Sequence, residues 1–403
     1  MALSITPSRP KPGQILTPSR RIERVAPIGE RIVAMTFDCG PTRLAPDGGF
    51  TQGLGLTEHI LAELRRFGAR GTFNIIGSTA QNYPDTSGKL GTRYAFGNRY
   101  DHFAAFGVDD MAGAEACPEL IRQIAREGHE LSNHTYRHIM YGVSRKMRGT
   151  RVALGGLAEA VDDLQRLHAL VYKLTKFEMG FMRPPHYIDD LTDGSTAYDA
   201  CERLGYHYLG SSLAIDNDED DAMLYPLQRA LENDPASLAG QIISQRDGYN
   251  SWRRMPLAEV LGQQLELLQR YGYRVVSVGE LMFASPFEDV RPIDDCFEAV
   301  RDLERAGFTL GFRDNRFYPE RAVTKPELAA IFSVPERTED GERPKNRPAA
   351  VQSDRREPVA MRLIVAAANE AFEEVEGQPR SATRGDVAIW LREVAAANGF
   401  IGN

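Results

Sequence analysis

Between residue 31 and about residue 281, short apolar runs alternate with segments whose apolar positions recur at helical spacing. The run IVAMTF at residues 32–37 has no polar alternation and predicts a strand covered on both faces. Over residues 56–67, Ile60, Leu61, Leu64 and Phe67 share one helical face, and Gly68 supplies the stop. Residues 71–76 read as the next strand. Pro118 opens a helix with Leu120, Ile121, Ile124 and Ala125 on one face, and Gly128 closes it. Beyond it come a helix near residues 157–174, a strand into Met182, a helix near 196–204 and strands near 206–211 and 241–244. A helix at 257–271 and a strand at 274–278 end the series. This alternation predicts an α/β fold, either a parallel β/α barrel or a doubly wound sheet. In both, reactive side chains belong at the carboxyl ends of the strands.

Three stretches fall outside the rhythm. Residues 1–30 are rich in Pro, Arg and Ser and read as an extended arm. Residues 78–115 form a long polar, Gly-rich loop holding Tyr100, Asp101 and His102, read as a lid or binding loop, or as a surface insertion. After Ser285 the pattern becomes helical, with Ala299, Val300 and Leu303 on one face of a run from Cys296 to Ala306. Two related phrases follow, starting at Thr324 and Thr383. Each offers Thr as a helix cap with an acid three residues on. The charged, Pro-rich residues 333–358 between them read as a linker or long loop. The predicted organisation is an arm (1–30), an α/β domain (31–283) and a smaller, mainly α-helical C-terminal domain (284–403) of two repeats, the second degenerate.

Composition narrows the function. A chain of 403 residues with 42% hydrophobic and 26% charged positions has the profile of a globular protein of two domains. A formal net charge of -8 argues against nucleic acid as the main partner. No run is long and apolar enough to span a bilayer, and the first residues lack the apolar core of a secretion signal. Four cysteines in so long a chain predict no disulfide framework.

The chemistry concentrates at His134 and His138, four residues apart just past a short apolar segment. Imidazole pairs bind divalent transition metals, and a pair with one anionic ligand leaves positions open, as metal-assisted hydrolysis requires. A structural zinc clip is the poorer reading. Cys39 stands beside Asp38 in the upstream segment TFDCGP. Its thiolate suits zinc better than magnesium or manganese; the other reading is a small buried hydrophobe. His129, His59, His168 and His207 read as structural.

TFDCGP (36–41), GTFNIIG (71–77), GHELSNHTYRH (128–138), RPPHY (183–187) and IISQRDG (242–248) stand in the order found in the NodB-homology polysaccharide deacetylases, carbohydrate esterase family four, which this chain resembles over about residues 31–281. The resemblance implies a distorted β/α barrel that removes acetyl groups from N-acetylated sugars of chitin or peptidoglycan, with a divalent metal, here most simply zinc. It implies that Asp38 is the catalytic base, that His134 and His138 are metal ligands, and that Arg183 pairs with Asp38. Pro184, Pro185, Tyr187 and Tyr249 are assigned to the substrate-binding surface.

Two positions depart from the family pattern. Cys39 replaces a ligand aspartate. Arg246, followed by Asp247, replaces the histidine that would protonate the leaving amine. An arginine stays charged and cannot serve as that acid. It can stabilise an oxyanion or form a structural ion pair, and His186 and Tyr187 become the candidate proton donors, with Tyr249 a weaker one. Asp216 lies near a fourth motif of the family, which this chain matches only faintly.

The C-terminal region resembles S-layer homology repeats through FEDV (287–290), the Gly311–Pro319 run and the two Thr-initiated helices. That resemblance implies anchoring to cell-wall polysaccharide and a cell-wall or extracellular location. The leading expectation is therefore a metal-dependent polysaccharide deacetylase. The rivals are a catalytically impaired binder of wall polysaccharide and a hydrolase of another C–N bond.

Overall fold

The computed structural model describes residues 19–43, 54–78, 112–139, 141–142, 154–215, 220–247, 256–305, 311–323 and 383–397. The expected 78–115 loop (apart from its ends), the 333–358 linker and the Thr324 helix start lie outside these residues. Nine strands form one sheet: β1 (Arg21–Ile22), β2 (Ile32–Gly40), β3 (Thr72–Ile75), β4 (Glu130–Asn133), β5 (Phe181–Met182), β6 (His207–Leu209), β7 (Leu213–Ala214), β8 (Ile242–Arg246) and β9 (Arg274–Val276). Their order is β1-β6-β5-β4-β3-β2-β8-β7, with β9 beside the first half of β2, and every ladder is parallel. Helices α1 (Leu56–Arg66), α2 (Pro118–Arg126), α3 (Leu157–Thr175), α4 (Ala197–Leu204), α5 (Asp220–Asn233), α6 (Pro256–Arg270) and α7 (Val278–Ala284) fall between and after the strands. The result is a curled, distorted β/α barrel.

The alternation along β2 explains the layers. All nine of its residues are buried. Val33, Met35 and Phe37 join the cluster that contains Ile60, Leu61 and Leu64 of α1, while Ile32 and Ala34 pack with Phe181, Leu209 and Ile242. Thr36 and Asp38, on the second face, turn to Arg183. Gly68, at φ 61, ends α1 as its position predicts, because a left-handed residue lets the chain reverse without a Cβ clash.

The described part of the expected N-terminal arm is part of the sheet. Arg21 and Ile22 pair with Tyr208 and Leu209 of β6, Arg24 bridges Gln241, and the Val25 N–H donates to the Gly240 carbonyl at 2.8 Å. This segment therefore ties one edge of the sheet to the entry of β8. Ile22, Val25 and Ala26 are buried, so the stretch has enough apolar side chains to join the core despite its arginines.

After α7 a second core gathers Phe287, Val290, Phe297, Val300, Leu303, Phe317 and Leu391, with helices α8 (Phe297–Arg305) and α9 (Arg384–Ala397) across it. Asp289 accepts the Phe317 and Tyr318 N–H groups, each at 2.8 Å. The expected cap at Thr383 is present: its hydroxyl accepts the Asp386 N–H at 3.2 Å, and Asp386 accepts the Thr383 N–H at 2.9 Å. Ala322 bridges Thr383, and the buried Arg384 donates to the Phe317 carbonyl at 2.7 Å. The helix read as belonging to a second repeat thus completes the core of the first.

Arg20 joins the two cores. It is 1% exposed, donates to the Pro286 carbonyl at 3.1 Å, pairs with Glu304 at 3.3 Å, and lies 4.5 Å from the Phe287 ring centre. Removing one partner of a buried ion pair strands the other, so Arg20→Ala is expected to lower stability by about 3 kcal/mol. Urea unfolding followed by circular dichroism measures it, and a loss well under 1 kcal/mol would contradict the assignment.

At the opposite end of β4 from the histidines, Glu130 is buried beneath the start of α7. It accepts from the Thr72 hydroxyl at 2.7 Å and the Gly279 N–H at 3.1 Å. Burial pushes its carboxyl up to about 7 against those hydrogen bonds. The folded protein then holds a proton that the unfolded chain has released, so stability falls as pH rises from about 4.5 to about 7. Glu130→Gln is expected to flatten that slope in denaturant titrations at a series of pH values.

Candidate active site

The carboxyl ends of β2, β3, β4, β5 and β8 meet in one cleft. Asp38, near the end of β2, is in register with Asn74 on one side and Arg246 on the other. Its Oδ1 accepts from Asn74 Nδ2 and from the Arg183 guanidinium, each at 2.6 Å. Arg183 follows β5 and is fully buried. It also donates to the Thr36 hydroxyl at 2.8 Å, the Leu209 carbonyl at 3.0 Å and the Gly210 carbonyl at 2.7 Å. Asn74 belongs to this centre but is not singled out by motif reading. The signal for it is a lone amide within the buried strand TFNI.

Past Asp38 the register between β2 and β3 slips, and Cys39 takes φ 78. The bulge turns its thiol toward the two imidazoles: Sγ lies 3.7 Å from His134 Nε2 and 3.6 Å from His138 Nε2. Backbone bonds hold the histidine loop. Asn133 accepts the Thr135 N–H at 3.0 Å, and Asp163 of α3 accepts the Tyr136 N–H at 2.6 Å and the Arg137 side chain at 2.7 Å. His134 Nδ1 is 2.7 Å from the Arg183 carbonyl. A carbonyl can only accept, so the proton sits on Nδ1 and the Nε2 lone pair faces Cys39. Burial and the adjacent His138, opposed by Asp38, push the His134 imidazole down to about 3, which keeps it neutral.

Cys39, His134 and His138 offer three ligand atoms within 4.8 Å of one another, all on buried residues. Tetrahedral zinc with its usual bond lengths needs S···N separations of about 3.6 Å. The two sulfur–nitrogen distances match that requirement, so the three residues are compatible with a zinc ion. Three protein ligands would leave a coordination position open.

The remaining expected residues fall into three groups. Pro184, Pro185 and Tyr187 follow Arg183 directly; Tyr187 lies 3.0 Å from the Ser211 hydroxyl, and its ring centre is 5.4 Å from the Arg183 guanidinium. His186 is exposed, with its ring 5.6 Å from that of His138, and Arg246 is half-buried at the end of β8. Asp247 is fully buried, accepts the Thr57 hydroxyl at 3.4 Å and donates its N–H to the Asp38 carbonyl at 2.9 Å. Burial and then the Asp38 charge push its carboxyl well up. Its carboxyl packs against the Gly40 backbone. Tyr249 and Asp216 lie outside the described residues. His129 accepts the Gly71 N–H at 3.2 Å, a structural position as its sequence context predicts.

Residues 26–208 match the profile of the family described as polysaccharide deacetylase, and residues 286–329 match that of the S-layer homology domain. The chain thus carries a polysaccharide deacetylase domain and, toward its C-terminus, an S-layer homology domain. The peptidoglycan-N-acetylglucosamine deacetylase of Bacillus cereus is 24% identical over 269 residues, covering 66% of this chain and 95% of that protein. Two solved structures are also similar. The chitin deacetylase of Colletotrichum lindemuthianum has 21% identity and TM-score 0.44, covering 66% of this chain and 92% of that one. A pseudoenzyme of carbohydrate esterase family four from Bacillus anthracis has 16% identity and TM-score 0.42, covering 69% and 72%.

Removal of the thiol tests the ligand set. Cys39→Ala is expected to lower zinc affinity more than about 100-fold, beyond the usual effect of changes outside the coordination sphere. Metal content by mass spectrometry after dialysis measures it; full retention of zinc would show that the thiol is not a ligand.

Proposed function

We propose that this chain is a zinc-dependent hydrolase that removes N-acetyl groups from a cell-wall or chitin-like polysaccharide. The observation that carries the reading is the convergence of Cys39, His134 and His138 beside an Asp38 held by a buried arginine. Cys39, His134 and His138 would hold a divalent cation, which would supply Lewis acidity to the hydrolysis. Asp38 takes the proton from the attacking water. Asn74 and Arg183 both bond to its Oδ1, and Oδ2 is the acceptor for that proton. Arg183 holds the carboxylate in place through its 2.6 Å bond to Oδ1. Arg246, a fixed cation in register with Asp38, stabilises the negative charge that develops on the acyl oxygen. The exposed His186, beside His138, protonates the departing amine. The S-layer homology domain holds the protein at wall polysaccharide.

A second reading is a binder of the same polysaccharide that has lost turnover. Arg246 favours it, because a guanidinium cannot give up a proton near neutral pH.

Acetate released from acetylated chitooligosaccharides and from peptidoglycan separates the two. The hydrolase is expected to release acetate from at least one of them, to stop with chelator, and to slow by about 10²–10⁴-fold in Asp38→Asn. Arg246→His, which removes the fixed cation assigned to the acyl oxygen, is expected to lower turnover in the hydrolase. Carbohydrate binding that ignores chelator, with no acetate from any substrate in either form, would establish the binder instead.

A further inference from the structure

Asp247 has no direct route to substrate, yet its carboxyl occupies a defined place behind the zinc-binding bulge. A Cβ on Gly40 would overlap that carboxyl group, so the Gly40 backbone and the Asp247 side chain are in direct contact, and only glycine permits it. The contact is bracketed on both sides. The Asp247 N–H donates to the Asp38 carbonyl at 2.9 Å, and Thr57 at the start of α1 donates to Asp247 Oδ2 at 3.4 Å. The same Thr57 oxygen accepts the Thr42 N–H at 2.9 Å, while the Ile76 N–H donates to the Gly40 carbonyl at 2.9 Å. Residues 38, 40 and 42 are therefore fixed, and Cys39 between them is held at φ 78. A cysteine does not adopt that conformation unaided, and a relaxed, extended residue 39 would point its side chain to the other face of the strand.

We propose that Asp247 is a positioning residue that acts through Cys39: its carboxyl supports the Gly40 backbone and so aims the thiol at His134 and His138. The proposal rests on the zinc-site reading. It assigns Asp247 no contact with substrate and explains why a fully buried acid follows Arg246.

Cobalt(II) loaded into the full-length protein in place of zinc reports the thiol directly, through its sulfur-to-cobalt charge-transfer band. Its ligand-field bands report binding by the histidines. Asp247→Ala is expected to lose most of the charge-transfer intensity and about 10–100-fold in metal affinity while its ligand-field bands persist. Asp247→Asn, of the same shape, is expected to keep most of both. Thr57→Val provides a milder perturbation should the alanine variant not fold, and it is expected to weaken the charge-transfer band in part. An unchanged band in Asp247→Ala, or in Thr57→Val if only that variant folds, would overturn the proposal. A wild type that binds no cobalt would instead sink the metal reading. In that event crystal structures of the same variants decide the positioning role, which fails if Cys39 keeps its positive φ and both sulfur–nitrogen distances.

Discussion

The buried ion pair between Arg183 and Asp38 is the interaction on which the rest of this structure depends. Arg183 follows β5 and Asp38 lies on β2, two strands separated in the sheet by β4 and β3, so the bond crosses the inside of the barrel. The same guanidinium reaches the carbonyls after β6 and the Thr36 hydroxyl, which leaves it no need of water. Either charge alone in this position would be uncompensated, at a cost of about 3–5 kcal/mol. Together they link β5 to β2 across the curled sheet and fix the position of the Asp38 carboxylate. The carbonyl of Arg183 then sets the tautomer of His134, so one residue orders both Asp38 and His134.

Strain gathers at the same place. Of the eight described non-glycine residues with positive φ, five belong to the cleft: Cys39, Thr135, His138, His186 and Tyr187. Such conformations cost about 1–3 kcal/mol each and persist only where the surroundings over-determine them. Here those surroundings are visible as Asn133 and Asp163 around the histidine loop and as Asp247 and Thr57 around the bulge. The strand ends are bent so that side chains from consecutive residues, Asp38 and Cys39, serve one site, which a regular strand with its alternating faces does not allow.

Much of the barrel was legible because strands buried on both faces and amphipathic helices leave different periods in the sequence. Where that signal was short or interrupted, the reading missed the element. Helix α5 carries Pro226 in its interior, which argues against a helix in any local reading. Strand β1 has only two residues, in a stretch whose Pro and Arg content suggests an exposed arm. Asn74 and the placement of Asp247 were illegible for another reason: both depend on cross-strand register, and one residue of slip reverses which face a side chain takes. The C-terminal helix after Thr383 was readable from its capping box, but its docking onto the first repeat was not, because the bridge to Ala322 spans a long separation in sequence.

The sequence alone determined an α/β alternation, a pair of histidines four apart, an acid beside a thiol, and a helical C-terminal region. These follow from residue types and local spacing, which need no knowledge of the rest of the chain. Only the tertiary structure decided that Cys39 faces both imidazoles, that Asp247 is buried against the Gly40 backbone, and that Arg20 joins the two cores. Those outcomes depend on a register slip, on close contact between backbone and carboxyl, and on burial shared between distant segments. Such quantities exist only once the chain has packed.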